Sequence, residues 1–475
     1  MRRTKIVATL GPSSSDPQTI SDLIDAGLNV ARLNFSHGDH ESHGKMIDLI
    51  RSIAAEKKTC VTILQDLCGP KIRLGILPDE GVELRKGELC ILMSEDSAET
   101  DALPVQYENL EADLKKGDRV VLADGTMELT VESIHGKRVV CRIVRGGIVF
   151  SRKGVNLPSA DLSVVAFTEK DRKDLLFGLE KGVDVVALSF VRSAADLVKI
   201  RSIISKDKNP PLLIAKIEKP QAVKNIDEIL PMVDGVMVAR GDLGVEMPLF
   251  DVPVIQKEII RKARREGKVT ITATQMLKSM VDSNLPTRAE CTDVANALFD
   301  GTCAVMLSEE TASGKYPVEA VRVMDGLARA TEQHVISEFS LKSDEHVTDK
   351  KNIAWAVGRS ACWLAKDLEA GAVVAYTESG FTAASVARFR PAAPILALTP
   401  NKRTFTKLNM FWGVVPGLTE GFHDIEEMFS TAAEIAVAKG IAKQGDNIII
   451  TAGVPLGVKG STNMVKVYGF RSVSP

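Results

Sequence analysis

The chain has 475 residues, 45% of them hydrophobic and 26% charged, a balance that suits a folded globular protein and not a disordered one. Sixty basic against sixty-two acidic side chains give a net charge of −2, which supplies no global attraction to nucleic acid or to an anionic membrane, though it allows a local basic pocket for a phosphorylated small molecule. No run approaches the roughly 20 apolar residues of a membrane span, and a prior of roughly 150 residues per domain predicts about three domains.

Met1 to Leu10 has a basic start but no long apolar region, and reads as a first strand rather than a signal peptide. Eight short runs follow the β-branched, non-alternating pattern of parallel strands buried on both faces: Thr4–Leu10, Asn29–Phe35, Cys60–Asp66, Val183–Phe190, Leu212–Ile217, Gly235–Ala239, Val269–Thr274 and Cys303–Leu307. Helical patterns follow most of them. Asp16-Pro17 opens one with an N-cap and a first-turn proline, and Asp251 to Glu266 is another, with basic residues in its last turn. Eight strand–helix units predict an α/β fold built on a (β/α)8 TIM barrel.

The series breaks after the third strand. From about residue 70 to 166 the segments Leu89–Met93, Arg119–Ala123, Met127–Ile134 and Arg138–Val144 are separated by turn residues, which predicts an antiparallel β domain inserted as a lid. The barrel is therefore expected over 1–69 and 167–340. After Ala330, the polar stretch Ser340 to Lys351 reads as a linker. A C-terminal open α/β domain then spans 341–475, with strands near Ala372–Tyr376, Ile395–Leu398, Gly413–Val415, Asn447–Thr451 and Val465–Tyr468. The seven cysteines are scattered singly, without CxxC or Cys/His metal spacing, as expected of reduced thiols in a cytoplasm.

In such a barrel, chemistry belongs at the C-terminal ends of the strands. Strand two ends in Arg32, Asn34, Ser36 and His37. Strand three ends in Asp66, with Lys71 and Arg73 close behind. Strand five ends in Lys216 and Glu218, six in Arg240 and Asp242, seven in Thr274 and Gln275, eight in Ser308, Glu309 and Glu310. Charged groups at so many strand ends predict convergence on one mouth. Lys216 and Glu218, two apart, share a strand face. Glu218 and Asp242 together offer two carboxylates to a divalent ion, and Arg32, Arg73 and Lys216 add the positive charge that phosphoryl transfer needs. An ion-pair network without a ligand would use the same residues. Arg240-Gly241-Asp242-Leu243-Gly244 allows main-chain N–H groups to approach an anion. There is no Walker A sequence.

Over essentially its whole length the chain resembles pyruvate kinase. The resemblance is carried by Arg2–Pro12 (RRTKIVATLGP), Asn29–Gly38 (NVARLNFSHG), Gly69–Arg73 (GPKIR), Lys153–Pro158 (KGVNLP), Val236–Glu246 (VMVARGDLGVE), Ile271–Met280 (ITATQMLKSM), Pro286–Glu290 (PTRAE) and Gly301–Thr311 (GTCAVMLSEET). It implies phosphoryl transfer from phosphoenolpyruvate to ADP, giving pyruvate and ATP, and a small β-barrel for the lid. By the same resemblance Glu218 and Asp242 hold Mg²⁺ (or Mn²⁺), Lys216 stabilises the phosphoryl group, and Arg32 and Arg73 hold phosphates. The Gly241 and Asp242 N–H groups, with the Thr274 hydroxyl, hold the substrate carboxylate. Asn34, Phe35, Ser36, His37, Arg73 and Lys153 face the nucleotide. Thr274, through water, relays a proton to enolpyruvate, with Ser308 as a lesser helper. A homotetramer is implied as well.

Two departures from the family pattern matter. Many members bind K⁺ through residues matching Asn34, Ser36, Asp66 and a threonine, but here Leu67 stands in the threonine's place. Cys68 replaces a lysine, and Lys71 replaces a glutamate. A leucine cannot ligate a hard cation through its side chain, and an ammonium can supply the charge that K⁺ supplied, so catalysis without K⁺ is expected. A Leu67 carbonyl that still binds K⁺ is the alternative. In the C-terminal domain Thr377, Ser379, Gly380 and Thr382 form a candidate effector-phosphate loop. There Phe381 replaces an arginine of members that bind fructose 1,6-bisphosphate, and Glu378 adds negative charge. Both argue against that effector and leave a sugar monophosphate, AMP or no activator. The chain stops at Pro475, so the extra phosphohistidine domain of some relatives is not expected. A metal-dependent pyruvate-enolate aldolase or lyase is the competing enzyme, but it needs neither lid nor nucleotide pocket. A non-catalytic sensor would have lost a key group, yet Lys216, Glu218, Asp242 and Thr274 are all present.

Overall fold

Alternate residues of each barrel strand face two different cores. Val7, Val30, Leu64, Val185, Ile214, Met237 and Ile271 fill the barrel interior. Their chain neighbours, such as Ile6, Ala31, Ile63, Val186 and Val238, pack outward against the helices. Strands apolar on both faces bury well only inside a ring of helices, which is why the runs do not alternate. In the computed structural model, which describes residues 1–158, 160, 162–339, 352–422, 424–455 and 462–469, eight strands close the barrel. They are Lys5–Thr9, Val30–Asn34, Thr62–Leu67, Val185–Leu188, Leu212–Ile217, Gly235–Ala239, Val269–Ala273 and Ala304–Leu307. All pair in parallel, and the first closes on the last with Lys5 opposite Ala304. The helix expected at Asp16-Pro17 runs Pro17–Ala26, and the Asp16 side chain accepts from Thr19 N.

The inserted lid has its own core of Leu74, Leu92, Leu110, Val120, Leu129 and Ile143. Its six-stranded sheet runs in the order Val155–Asn156, Arg119–Leu122, Met127–His135, Arg138–Arg145, Leu89–Ser94, Leu103–Val105. The four segments expected from sequence pair antiparallel, and the strand Leu103–Val105, which the patterning did not single out, adds a parallel pair with Leu89–Ser94. Residue patterning reports that a segment is a strand and is silent on its direction. Outgoing and returning chains run side by side at the lid's root, with Arg73 bridged to Gly154, and Leu74 N donating to Lys153 O at 2.9 Å.

The C-terminal domain is a five-stranded sheet ordered Val414–Leu418, Ile395–Thr399, Ala372–Tyr376, Asn447–Gly453, Thr462–Gly469, with only the last pair antiparallel. The last barrel helix, Pro317–Phe339, runs past Ala330. The expected linker, Ser340 to Lys351, lies outside the described residues. This domain docks on the N-terminal mouth of the barrel. Lys5 Nζ donates to Val414 O at 2.7 Å, Thr62 Oγ1 to Thr406 O at 2.6 Å, and Asn409 Nδ2 to Asn29 O at 2.8 Å. The opposite mouth faces the lid. Among the described residues no helix is long and apolar enough to cross a membrane.

Candidate active site

The second, third and fifth barrel strands deliver the central charges. Lys216 Nζ lies 2.8 Å from Glu218 Oε1 on its own strand and 3.4 Å from Asp66 Oδ1 on the third. Arg32, on the second, reaches Asp66 Oδ2 at 2.7 Å, and its Nη1 donates to Thr9 Oγ1 at 2.7 Å. Burial alone would pull the Lys216 ammonium toward neutrality, but Asp66, Glu218 and Asp242 outweigh it and hold its pKa above the ordinary value. For the buried Asp66 carboxyl the same contest is won by Lys216 and Arg32, which lower it. The charges therefore stay on, in an ion-paired chain that ends at an open cleft.

Glu218 and Asp242 stand at that end. Glu218 is 2% exposed, and its Oε2 accepts from Phe190 N at 3.0 Å. Asp242 faces the cleft, yet the protein around it, and then Glu218, push its carboxyl up to about 6. A carboxyl raised by a neighbouring carboxylate at the cleft is a donor set in want of a cation. Around the cleft His37 is held below its ordinary value by burial and then by Lys71, Arg73 and Arg32, so those cations do converge. Arg73 Nη1 donates to Arg152 O at 2.9 Å and, with the exposed Lys153, sits at the lid root.

Strained backbone marks the same rim. Phe190, Thr274 and Gln275 have φ of +57°, +70° and +56°, a left-handed region that is rare for bulky and β-branched residues. At Phe190 this conformation accompanies the N–H aimed at Glu218. Gly69 beside it is left-handed too, and a Cβ there would stand 2.8 Å from the Phe190 ring, so only glycine fits. Thr274 Oγ1 accepts from Gly241 N at 2.7 Å and donates to Ala273 O at 2.6 Å. The carboxylate-binding pair expected from sequence, Gly241 N–H and the Thr274 hydroxyl, is thus adjacent and bonded to itself.

Not every charged strand end points inward. Arg240 turns aside to Asp293 at 2.7 Å and to Thr274 O at 2.8 Å. Glu309 pairs with Lys278, and Glu310 is buried, accepting from Ser308 N and Leu277 N. These residues shape loops, which corrects the expectation that all the strand-end charges meet at the mouth. Of the residues matched to a monovalent-cation pocket, Asp66 is paired as above, Asn34 Oδ1 accepts from Ser36 N at 3.2 Å, and Leu67 O accepts from Ser189 Oγ at 2.7 Å. Ser189 also accepts from Lys216 at 2.8 Å, a role that sequence reasoning missed because a lone serine on an apolar strand carries no signal. In the C-terminal loop Thr377 Oγ1 accepts from Gly380 N, and Thr382 Oγ1 bonds Thr462 Oγ1. Both threonines are buried.

Against known proteins, a family model described as pyruvate kinase, barrel domain, matches residues 1–321, and one described as pyruvate kinase, alpha/beta domain, matches residues 355–468. The chain is 45% identical over 476 residues to a pyruvate kinase of Geobacillus stearothermophilus, covering 98% of this chain and 80% of that one. It is 42% identical over 470 residues to a pyruvate kinase of Clostridium acetobutylicum, covering 98% and 99%. A protein named pyruvate kinase 2 from Synechocystis is 46% identical over 471 residues, covering 98% and 79%.

Proposed function

The chain belongs to the pyruvate kinase family, a family of phosphotransferases, and we propose that it makes pyruvate and ATP from phosphoenolpyruvate and ADP with the strand-end residues just described. That membership supports the kinase and not the aldolase. The single observation that carries the division of labour is the chain Arg32–Asp66–Lys216–Glu218 ending at Asp242.

The family generally uses Mg²⁺, and the paired carboxylates Glu218 and Asp242, the second raised by the first, fit a divalent cation. Bound there, it would supply Lewis-acid stabilisation of charge on the substrate's oxygens. The protein's own groups do the rest. Lys216 stays protonated and offers a fixed positive charge to the phosphoryl group in transit, already oriented by Ser189 and so with little reorganisation. Arg32 and Arg73 hold phosphate oxygens. Asn34, Phe35, Ser36, His37 and Lys153 line the nucleotide side. On substrate binding the Gly241 N–H and the Thr274 hydroxyl exchange their mutual bond for the substrate carboxylate. Thr274 then relays a proton through water to the enolpyruvate methylene, assisted by Ser308; a hydroxyl is too weak an acid to be the ultimate donor.

K⁺ is not required in this reading. The Leu67 carbonyl accepts one hydrogen bond from Ser189, and Lys71 brings its charge close enough to act on His37 and Asp242. Pyruvate formation from phosphoenolpyruvate and ADP with Mg²⁺, in K⁺-free buffer and again with KCl, is the test. Comparable rates are expected. A rate that appears only with KCl keeps the kinase and removes the role of Lys71. Silence in both removes the assignment. The assembly we propose is a homotetramer, checked by sedimentation. The loop of Thr377, Ser379, Gly380 and Thr382 is proposed to take the phosphate of a sugar monophosphate or AMP, and an unmoved phosphoenolpyruvate saturation curve with either would rule that out.

A further inference from the structure

Lid and barrel meet over a buried carboxylate that the chemistry above does not use. Glu246 ends the short helix Arg240–Glu246, whose first turn carries Asp242. Its side chain is 1% exposed. Oε1 accepts from Lys219 Nζ at 2.6 Å and from Asn156 Nδ2 at 2.9 Å, while Oε2 is buried without a hydrogen-bond partner. Each donor comes from a different part of the machine. Lys219 directly follows Glu218, and its ammonium lies 5.3 Å from the centre of the Phe190 ring, the residue whose N–H holds Glu218. Asn156 belongs to the last lid strand, Val155–Asn156, just beyond the root. The lid turn at Gly125 faces the same helix, where an added Cβ would meet Val245. Between these surfaces opens a small cleft lined by Lys71, Asp124, Asn156, Lys219 and Asp242.

A buried carboxylate needs a counter-charge, which Lys219 supplies within the barrel. The bond from Asn156 is different. It crosses from the lid, and a hydrogen bond to a charged acceptor is among the stronger ones available. We propose that Glu246 is a positioning residue. Through Asn156 it seats the lid on the helix and strand end that carry Asp242 and Glu218, so that lid docking and the placement of those two carboxylates are one coupled event. The inference rests on the phosphotransferase reading only for its catalytic consequence; the coupling itself is a property of the contacts.

The full chain is compared with Asn156→Ala, which leaves the buried Glu246–Lys219 pair in place, and with Asn156→Asp. Losing one charge-assisted hydrogen bond from the docked state should lower kcat about tenfold, with a smaller change in KM for phosphoenolpyruvate. Asn156→Asp sets a carboxylate against Glu246 and should lose more than Asn156→Ala, an order that simple packing would not produce. Backbone hydrogen exchange over residues 150–158 should quicken in both variants. Mn²⁺ alone should slow that exchange in the parent chain and not in Asn156→Ala, because coupling between two sites is reciprocal. Unchanged exchange in the variants, or an Asn156→Asp chain more active than Asn156→Ala, overturns the proposal. If the parent chain makes no pyruvate but Asn156→Ala still frees the lid from Mn²⁺ control, the seat stands and the kinase reading falls.

Discussion

Lys216 shows how much a single residue depends on its neighbours. Alone and buried it would drift toward neutrality; with Asp66, Glu218 and Asp242 around it, it keeps its proton. Replacing it by methionine removes the charge that meets the phosphoryl group but leaves both carboxylates in place. Lys216→Met should cut kcat by about 10²–10³-fold or more while Mn²⁺ affinity, read by titration, stays near the parent value. Near-normal turnover would refute its role. The spacing of Lys216 and Glu218 was legible in the sequence, because two residues apart on a strand means one face. Ser189 and the Asp66 contact were not, since they come from other strands and depend on register.

At the scale of the element, the turn after the seventh barrel strand carries the strain. Thr274 and Gln275 are both left-handed, and such a conformation persists only where its surroundings hold it. Arg240 does much of that holding, through Thr274 O and Asp293, and Glu310 adds the Leu277 N–H. Arg240→Met leaves partly buried acceptors without a donor. It should cost about 1–3 kcal/mol of stability in denaturant titrations and lower kcat more than it raises KM. Full activity in that variant would show that Thr274 needs no such support. From sequence, Arg240 was indistinguishable from Arg32, an arginine near a strand's C-terminal end. One points into the barrel and the other away, a difference set by strand tilt and by the helix that begins at Arg240. The lid strand Leu103–Val105 eluded patterning because three residues are too few to show a period.

Across the whole molecule, the C-terminal domain is fastened to the barrel's N-terminal mouth in part by buried lysines, Lys5 donating to Val414 O and Lys407 to Pro210 O. Burial pulls Lys5 down to about 7 and Lys407 down to about 8, from an ordinary 10.5. Between those folded values and 10.5 the unfolded chain binds more protons, so stability should rise with pH, from about 7 for Lys5 and about 8 for Lys407 toward 10.5, and the gain is absent below about pH 7. Lys5→Met should flatten the curve. Equal slopes in parent and variant, followed by thermal unfolding across that range, would show that Lys5 is not buried in this way. The resemblance and the strand–helix periodicity were enough to set the barrel, the insertion after strand three and the strand-end places of Arg32, Lys216, Glu218 and Asp242, because buried strands leave local marks in the chain. Only the tertiary structure decided which strand-end charges face the cleft, that Leu67 O accepts from Ser189, and that Asn156 and Glu246 meet, 90 residues apart. Such contacts depend on where separate elements are packed, and no local pattern of residues encodes that.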